Sequence, residues 1–281
     1  MVFEKAIQLK GRRENLFTRN KVLVFILILL ICAGGISYAV NSFESYLSKE
    51  QEIIIKDKSF SNIEVFTSNA TVVIVPTAEE VTTVSYSEKK KGKGKFKFQA
   101  EVKGDNLSVL LKEKRRGFFN FGISLRNVEL IVSVPEKEYN KINVETDNGR
   151  IIMESLQGEE LLLSTDNGRI ELENINAAKL KAYTDNGDIS LVDVEGEITA
   201  ETDNGKITMK AEQLDRAIDL TTDNGRIEIQ ATEEPTNAVI DAKTDNGRIE
   251  IFGNNNEQTI FGKGKHMIKL KTDNGRITVT K

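Results

Sequence analysis

"TDNGRIEI" stands at residues 222–229 and again at 244–251. Its core, Thr-Asp-Asn-Gly, also begins at Thr146, Thr165, Thr184, Thr202 and Thr272, so successive copies lie 19, 19, 18, 20, 22 and 28 residues apart. Around each copy the apolar residues alternate. Four and two positions before the Thr stand pairs such as Ile142 and Val144, Leu161 and Leu163, Ile218 and Leu220. Five and seven positions after it stand Ile151 and Met153, Ile170 and Leu172, Ile277 and Val279. Period-two alternation on both sides of a turn makes every copy strand–DNG–strand with one buried face.

Two architectures fit that pattern. Asn-Gly closes tight hairpins, which would give an antiparallel meander; alternatively each copy is one coil of a β-solenoid. Burial separates them. A meander would leave an apolar face open, and nothing in 141–281 reads as a helix to cover it. A solenoid coil brings its own two strands face to face and stacks each Asn on the next, so that the side-chain amides form a ladder. The expected fold is therefore an all-β, parallel β-solenoid of about 19-residue coils with a TDNG corner. At ~4.8 Å per coil the seven copies span about 34 Å. The corner residues are Asp147-Asn148-Gly149, Asp166-Asn167-Gly168, Asp185-Asn186-Gly187, Asp203-Asn204-Gly205, Asp223-Asn224-Gly225, Asp245-Asn246-Gly247 and Asp273-Asn274-Gly275. Gly is expected there to supply a positive φ.

Upstream, "IEVFTSNATVVIV" at 63–75 carries Ile63, Val65, Thr67, Asn69, Val72 and Ile74 in the same register. Thr67 precedes Thr146 by 79 residues, a length that would hold about four coils. Phe96–Val102 and Leu107–Leu111 flank "KGDN" as a hairpin, and Val128–Val134 reads as a strand. Residues 50–140 are thus expected to form an irregular β region capping the solenoid of 141–281.

Hydrophobic residues make up 39% and charged residues 29% of the 281, which excludes disorder and a polytopic membrane protein. A single Cys (Cys32) cannot form an internal disulfide and a single His (His266) cannot build a histidine metal site, which argues against thiol catalysis, zinc-finger chemistry and Ser-His-Asp hydrolysis. The net charge of −4 conceals a gradient, since residues 141–281 hold 17 basic against 27 acidic residues. So acidic a repeat region argues against nucleic acid as a partner.

Residues 22–40, "VLVFILILLICAGGISYAV", carry no charge and would span about 28 Å as a helix, close to bilayer thickness. Lys10, Arg12, Arg13, Arg19 and Lys21 precede them. The positive-inside rule then makes 1–21 a cytoplasmic basic segment, 22–40 an uncleaved signal anchor, 41–49 a linker and 41–281 extracytoplasmic. The competing readings are a cleavable signal peptide ending near Ser37-Tyr38-Ala39 and a lipoprotein at Cys32, and the length of the apolar run favours the anchor.

With "FSNIEVFTSNATVVIVP", "VKGDNLSVLL" and "VELIVSVPEKEYNKINVETDNGRI" following one membrane helix, the chain resembles the "putative adhesin" β-strand-repeat domain of bacterial envelope proteins, especially its LiaG-type membrane-anchored members. The resemblance covers roughly 50–281. It implies a β-solenoid ectodomain, a place at the cell envelope and a link to envelope stress, and it brings no catalytic residues.

The Asp row could attract calcium. Against this, Arg150, Arg169, Lys206, Arg226, Arg248 and Arg276 follow three residues behind and are expected to neutralise it across the corner, with Asp188 the one exception. No metal site or cofactor is expected. A glycan-cleaving enzyme, the catalytic alternative, needs a unique pair of carboxylates, whereas these recur with the fold; the expectation is a non-enzyme. The pattern breaks at "KKKGKGK" (89–95) and "KEKRRGFFNFG" (112–122). There Lys89, Lys90, Lys91, Lys93, Lys95, Arg115 and Arg116 could meet anionic wall polymer or lipid, with Phe118, Phe119 and Phe121 as apolar anchors. The competing reading has these lysines on a solvated loop and the phenylalanines as an end plug. Residues 252–267 read as an extended loop, and the last strand, "RITVT", as an open sheet edge through which copies could self-associate. Another envelope protein, with this chain as its scaffold, is the remaining partner class.

Overall fold

The computed structural model describes residues 51–88, 96–113 and 128–281. The expected membrane segment, the run Lys89–Lys95, and Arg115, Arg116, Phe118, Phe119 and Phe121 lie outside the described residues.

One coil shows why this sequence folds as it does. Strand Gln157–Thr165 points Leu161, Leu163 and Thr165 inward; the corner follows; Ile170 and Leu172 then point inward from the opposite wall. Asn174, at φ 53°, bends the chain a second time, and Ile175 and Ala177 bury a short third side. Ser155 and Asp193 occupy equivalent bends at φ 56° and 51°. Asn and Asp tolerate this left-handed region better than other residues, and Asn174 Nδ2 donates to Ser155 Oγ at 3.0 Å. The next coil repeats the pattern in parallel register, Leu161 on Leu180 and Ile170 on Ile189. Each fully buried Ile or Leu contributes about 1.5–3 kcal/mol, so columns of them hold the stack together.

In chain order the strands are β1 (Gln51–Ile55), β2 (Asn62–Thr67), β3 (Ala70–Thr77), β4 (Thr82–Glu88), β5 (Phe96–Lys103), β6 (Asn106–Glu113), β7 (Val128–Pro135), β8 (Glu138–Thr146), β9 (Ile151–Glu154) and β10 (Gln157–Thr165). Then come β11 (Ile170–Thr184), β12 (Ile189–Thr202), β13 (Ile207–Ala211), β14 (Ile218–Thr222), β15 (Ile227–Ala231), β16 (Ala238–Thr244), β17 (Arg248–Ile251), β18 (Gln258–Ile260), β19 (His266–Thr272) and β20 (Arg276–Thr280). All belong to one compact unit, Ser48–Lys281.

The coils do not stack in sequence order. The β2–β3 coil lies between the β6–β7 and β8–β9 coils. Thr67 therefore sits directly on Thr146, and the 79 residues between them cross one coil step, where their length alone suggested about four. The other end mirrors this. Strands β19 and β20 insert between the β14–β15 coil and the β16–β17 coil. The expectation of an open edge at "RITVT" is thus corrected: β20 is paired on both sides, and the outer strand of that wall is β17, paired only with β20. Nearby, Lys271 pairs with Asp273 and Lys281 with Glu234, both at 3.2 Å.

Antiparallel strands close the first end. β5 extends one wall beside β6, while β4 and β1 extend the other beside β7. Between the walls Tyr86 meets Phe96 and Phe98, with ring centroids 5.6 and 4.9 Å apart. At the other end the segment read as an extended loop folds back as a lid. β18 pairs antiparallel with β16, and Phe252 and Phe261 pack edge to face at 5.8 Å over the last coil. Aromatic rings suit this position because they cover much apolar area with few rotatable bonds.

Candidate functional site: the glycine-floored corner

Each residue of the repeated corner has a separate task. The Thr side chain points inward, and its Oγ1 donates to the corner Gly carbonyl of the neighbouring coil at 2.9–3.2 Å. Thr146 is the exception. Its neighbour carries Ala70 in place of Gly, and its buried Oγ1 has no partner among the described residues. The Asn backbone N–H donates to the residue before the neighbouring Asn at 2.8–2.9 Å. The Asn side chain continues the ladder, Nδ2 to Oδ1 at 2.9–3.1 Å, from Asn69 through to Asn246.

The reason for Gly differs from the one the turn suggested. None of the corner glycines has a positive φ. A Cβ there would instead lie 1.6–1.9 Å from a backbone oxygen of the neighbouring coil, Ala70 O for Gly149 and a corner Gly O for the others. Close packing of coil on coil, not backbone handedness, excludes every side chain.

The charged rows also differ from expectation. The basic row does not neutralise the corner aspartates. Arg150 and Arg169 reach Glu171, at 3.7 and 3.5 Å, two residues along the strand from Arg169. Arg169 also pairs with Asp188 at 3.1 Å, and Asp188 in turn accepts from the Lys206 backbone N–H at 3.0 Å. Lys206 and Arg226 share Glu228 at 3.6 and 3.8 Å. Arg276 and Arg248 form no ion pair among the described residues. Of the corner aspartates only Asp273 does so, with Lys271 at 3.2 Å, and that contact raises the Lys271 pKa.

The corner is consequently a furrow along the stack. Its floor is glycine, the Asn amides form one wall, and the basic row forms the other. Between the β14–β15 and β19–β20 corners it opens to about 500 Å³, lined by Asn224, Gly225, Arg226, Asn274, Gly275 and Arg276. Exposed Arg and Asn groups in repeated register offer hydrogen bonds and charge to a ligand. No three His, Cys, Asp or Glu side chains converge as metal ligands among the described residues.

Two polar clusters missed by sequence reading have structural tasks. Lys137 Nζ donates to the carbonyls of Lys58, at 2.9 Å, and Phe60. It lies over the Phe60 and Tyr139 rings at 4.7 and 5.1 Å, and burial lowers its pKa. Asp215 accepts from the Thr236 and Asn237 backbone N–H groups at 3.0 and 2.8 Å and from Thr236 Oγ1 at 2.6 Å. Burial pushes its pKa up, yet those bonds together hold it below the usual carboxylate range. Neither cluster repeats with the corner, so no periodic signal marks it. The expected ligand residues Lys89–Lys95, Arg115, Arg116, Phe118, Phe119 and Phe121 lie outside the described residues. Phe96, Glu113 and Val128, which flank those stretches, line a small gap beside Asn69.

An all-β solenoid of stacked parallel coils sharing one ladder-bearing corner is the class that these features define. The chain belongs to the Toastrack DUF4097 family, a domain of unknown function whose model matches residues 60–182 and 146–280. No curated relative matches the sequence. Among solved structures it is similar to a "putative cell adhesion protein" from Clostridium sporogenes, at 14% identity over 83% of this chain and 98% of that one, with a TM-score of 0.40. A "putative adhesin" from Bacteroides fragilis matches at 14% identity over 82% and 97%, TM-score 0.44. A "putative lipid binding protein" from Parabacteroides distasonis matches at 17% over 84% and 98%, TM-score 0.34.

Proposed function

We propose that this protein is a non-catalytic, adhesin-like binding module, anchored in the membrane by residues 22–40 and displayed outside the cytoplasm at the envelope, where its attachment serves the response to envelope stress. One observation carries the reading. The Asn and Gly of every corner, and the Thr of all but the Thr146 corner, are committed to holding coil on coil, while the residues left outward repeat as rows. Rows of equivalent groups favour many weak contacts with an extended partner over one reactive centre. The basic residues of 89–95 would add to such attachment if the partner is anionic wall polymer.

The test is co-sedimentation of the full-length chain, held in a non-ionic detergent, with isolated cell walls across a salt series. Saturable attachment that weakens with salt is the expected result. No attachment at any salt concentration would reject the reading and direct the search to crosslinked membrane-protein partners.

A further inference from the structure

The basic row is not uniform. On the early coils the row is internally satisfied: Arg150 and Arg169 share Glu171, and Arg169 also holds Asp188. On the last coils it is not. Arg226 shares Glu228 with Lys206 much as Arg150 shares Glu171 with Arg169, at 3.8 Å against 3.7 Å, but its side chain is 68% exposed where theirs are 47%. Arg276 and Arg248 have no ion-pair partner among the described residues, although Glu250 lies on the same strand as Arg248. The permuted stacking brings these residues together. In sequence the order is Arg226, Arg248, Arg276; in space Arg276 lies in the β19–β20 coil between the other two, paired directly with Arg248. Three under-neutralised guanidinium groups thus follow one another at about one strand spacing, ~4.8 Å.

The furrow beside them opens to about 500 Å³ at the same place, between Arg226 and Arg276. Asn224 and Asn274 line it, and each Nδ2 spends one N–H on the ladder and keeps a second. Asp273 is held by Lys271, whose charge Asp223 and Asp245 also share.

We propose that the furrow walled by Arg226, Arg276 and Arg248 binds a linear polyol-phosphate polymer, a phosphodiester chain without bases, lying along the stack. The inference rests on the binding-module reading above and supplies its ligand class. Two non-bridging oxygens on each diester match the fork of a guanidinium, and a chain carrying one charge per unit meets successive arginines without a turn. A chain can follow a glycine floor between two walls, whereas a plane of lipid headgroups meets only the crests.

The experiment measures binding of a fluorescent glycerol-phosphate oligomer to the full-length chain in non-ionic detergent, with inorganic phosphate and phosphatidylglycerol vesicles as competitors. Binding should weaken with salt, and the oligomer should compete far better than free phosphate or vesicles. R226Q/R248Q/R276Q should weaken it on the order of 100-fold, while R150Q/R169Q should change it less than about threefold, since those arginines are already paired. R276K should retain charge but lose about tenfold through the missing fork. Circular dichroism of each variant separates lost binding from lost fold. Failure of the wild type to bind, an equal effect of the two multiple variants, or preference for vesicles over oligomer would each overturn the proposal. Wall attachment surviving in R226Q/R248Q/R276Q would do so while leaving the binding-module reading intact.

Discussion

At the residue scale the corner Gly is constrained by a backbone oxygen less than 2 Å from where a Cβ would stand, as at Gly187 beside Gly168 O, 1.7 Å away. That oxygen belongs to a neighbouring coil and cannot swing aside like the end of a flexible side chain. G187A should therefore cost about 3 kcal/mol in chemical denaturation, with the slope of the transition unchanged. The Thr row offers a paired test. Thr184→Val removes a hydrogen bond to Gly168 and strands that carbonyl, at a cost of about 1 kcal/mol. Thr146→Val deletes a buried hydroxyl that has no partner and should be neutral or stabilising. Equal losses from both would refute the assigned role. Glu154 gives a pH prediction. Burial, and then the neighbouring Glu173, raise its pKa. The folded state thus holds this proton more tightly than the unfolded chain, and the group favours folding below the unfolded glutamate pKa and opposes it at neutral pH. E154Q should raise the melting temperature at pH 7, with the gain vanishing as the pH falls through the glutamate range.

Among the elements, the informative pair is β19 and β20. As the last coil in sequence they would ordinarily fray first, since a terminal repeat has one neighbour. Here they have two, and the β16–β17 coil depends on them for its only parallel contacts. Deleting 266–281 should consequently release residues 238–251 as well. Limited proteolysis of the truncated chain should cut within that stretch, where the intact protein resists. Resistance there after truncation would show that β18 and the Phe252–Phe261 lid hold the coil unaided.

Over the whole described unit, the inward placement of both sequence-terminal coils predicts an unusual stability profile. Local opening in a stack of repeats normally begins at the chain ends. Amide exchange in β2–β3 and β19–β20 should instead be as slow as in β11 and β12, with fast exchange confined to the edge strands β1, β5, β17 and β18. A gradient falling from the middle of the sequence toward both ends would contradict the permuted stacking.

Much of this was legible in the letters alone. Period-two alternation around an invariant corner determined the parallel coil, the inward Thr and the Asn ladder, because each depends on a spacing that sequence displays directly. Copies at 63–75 and 146–153 could be seen to share a register, but not to touch. Contact between Thr67 and Thr146 depends on the β6–β7 coil lying outside the first one, and no local pattern encodes that choice. The same holds for Arg276 between Arg226 and Arg248. The steps of 22 and 28 residues at the last two copies mark an irregularity, yet only the tertiary structure decides that the chain leaves one coil's space empty and returns to fill it. Local chemistry fixes what a coil is. Which coil lies beside which is decided by the competition among nearly identical edges for burial, and that competition also set the reason for Gly, which needs a neighbour's carbonyl to be seen at all.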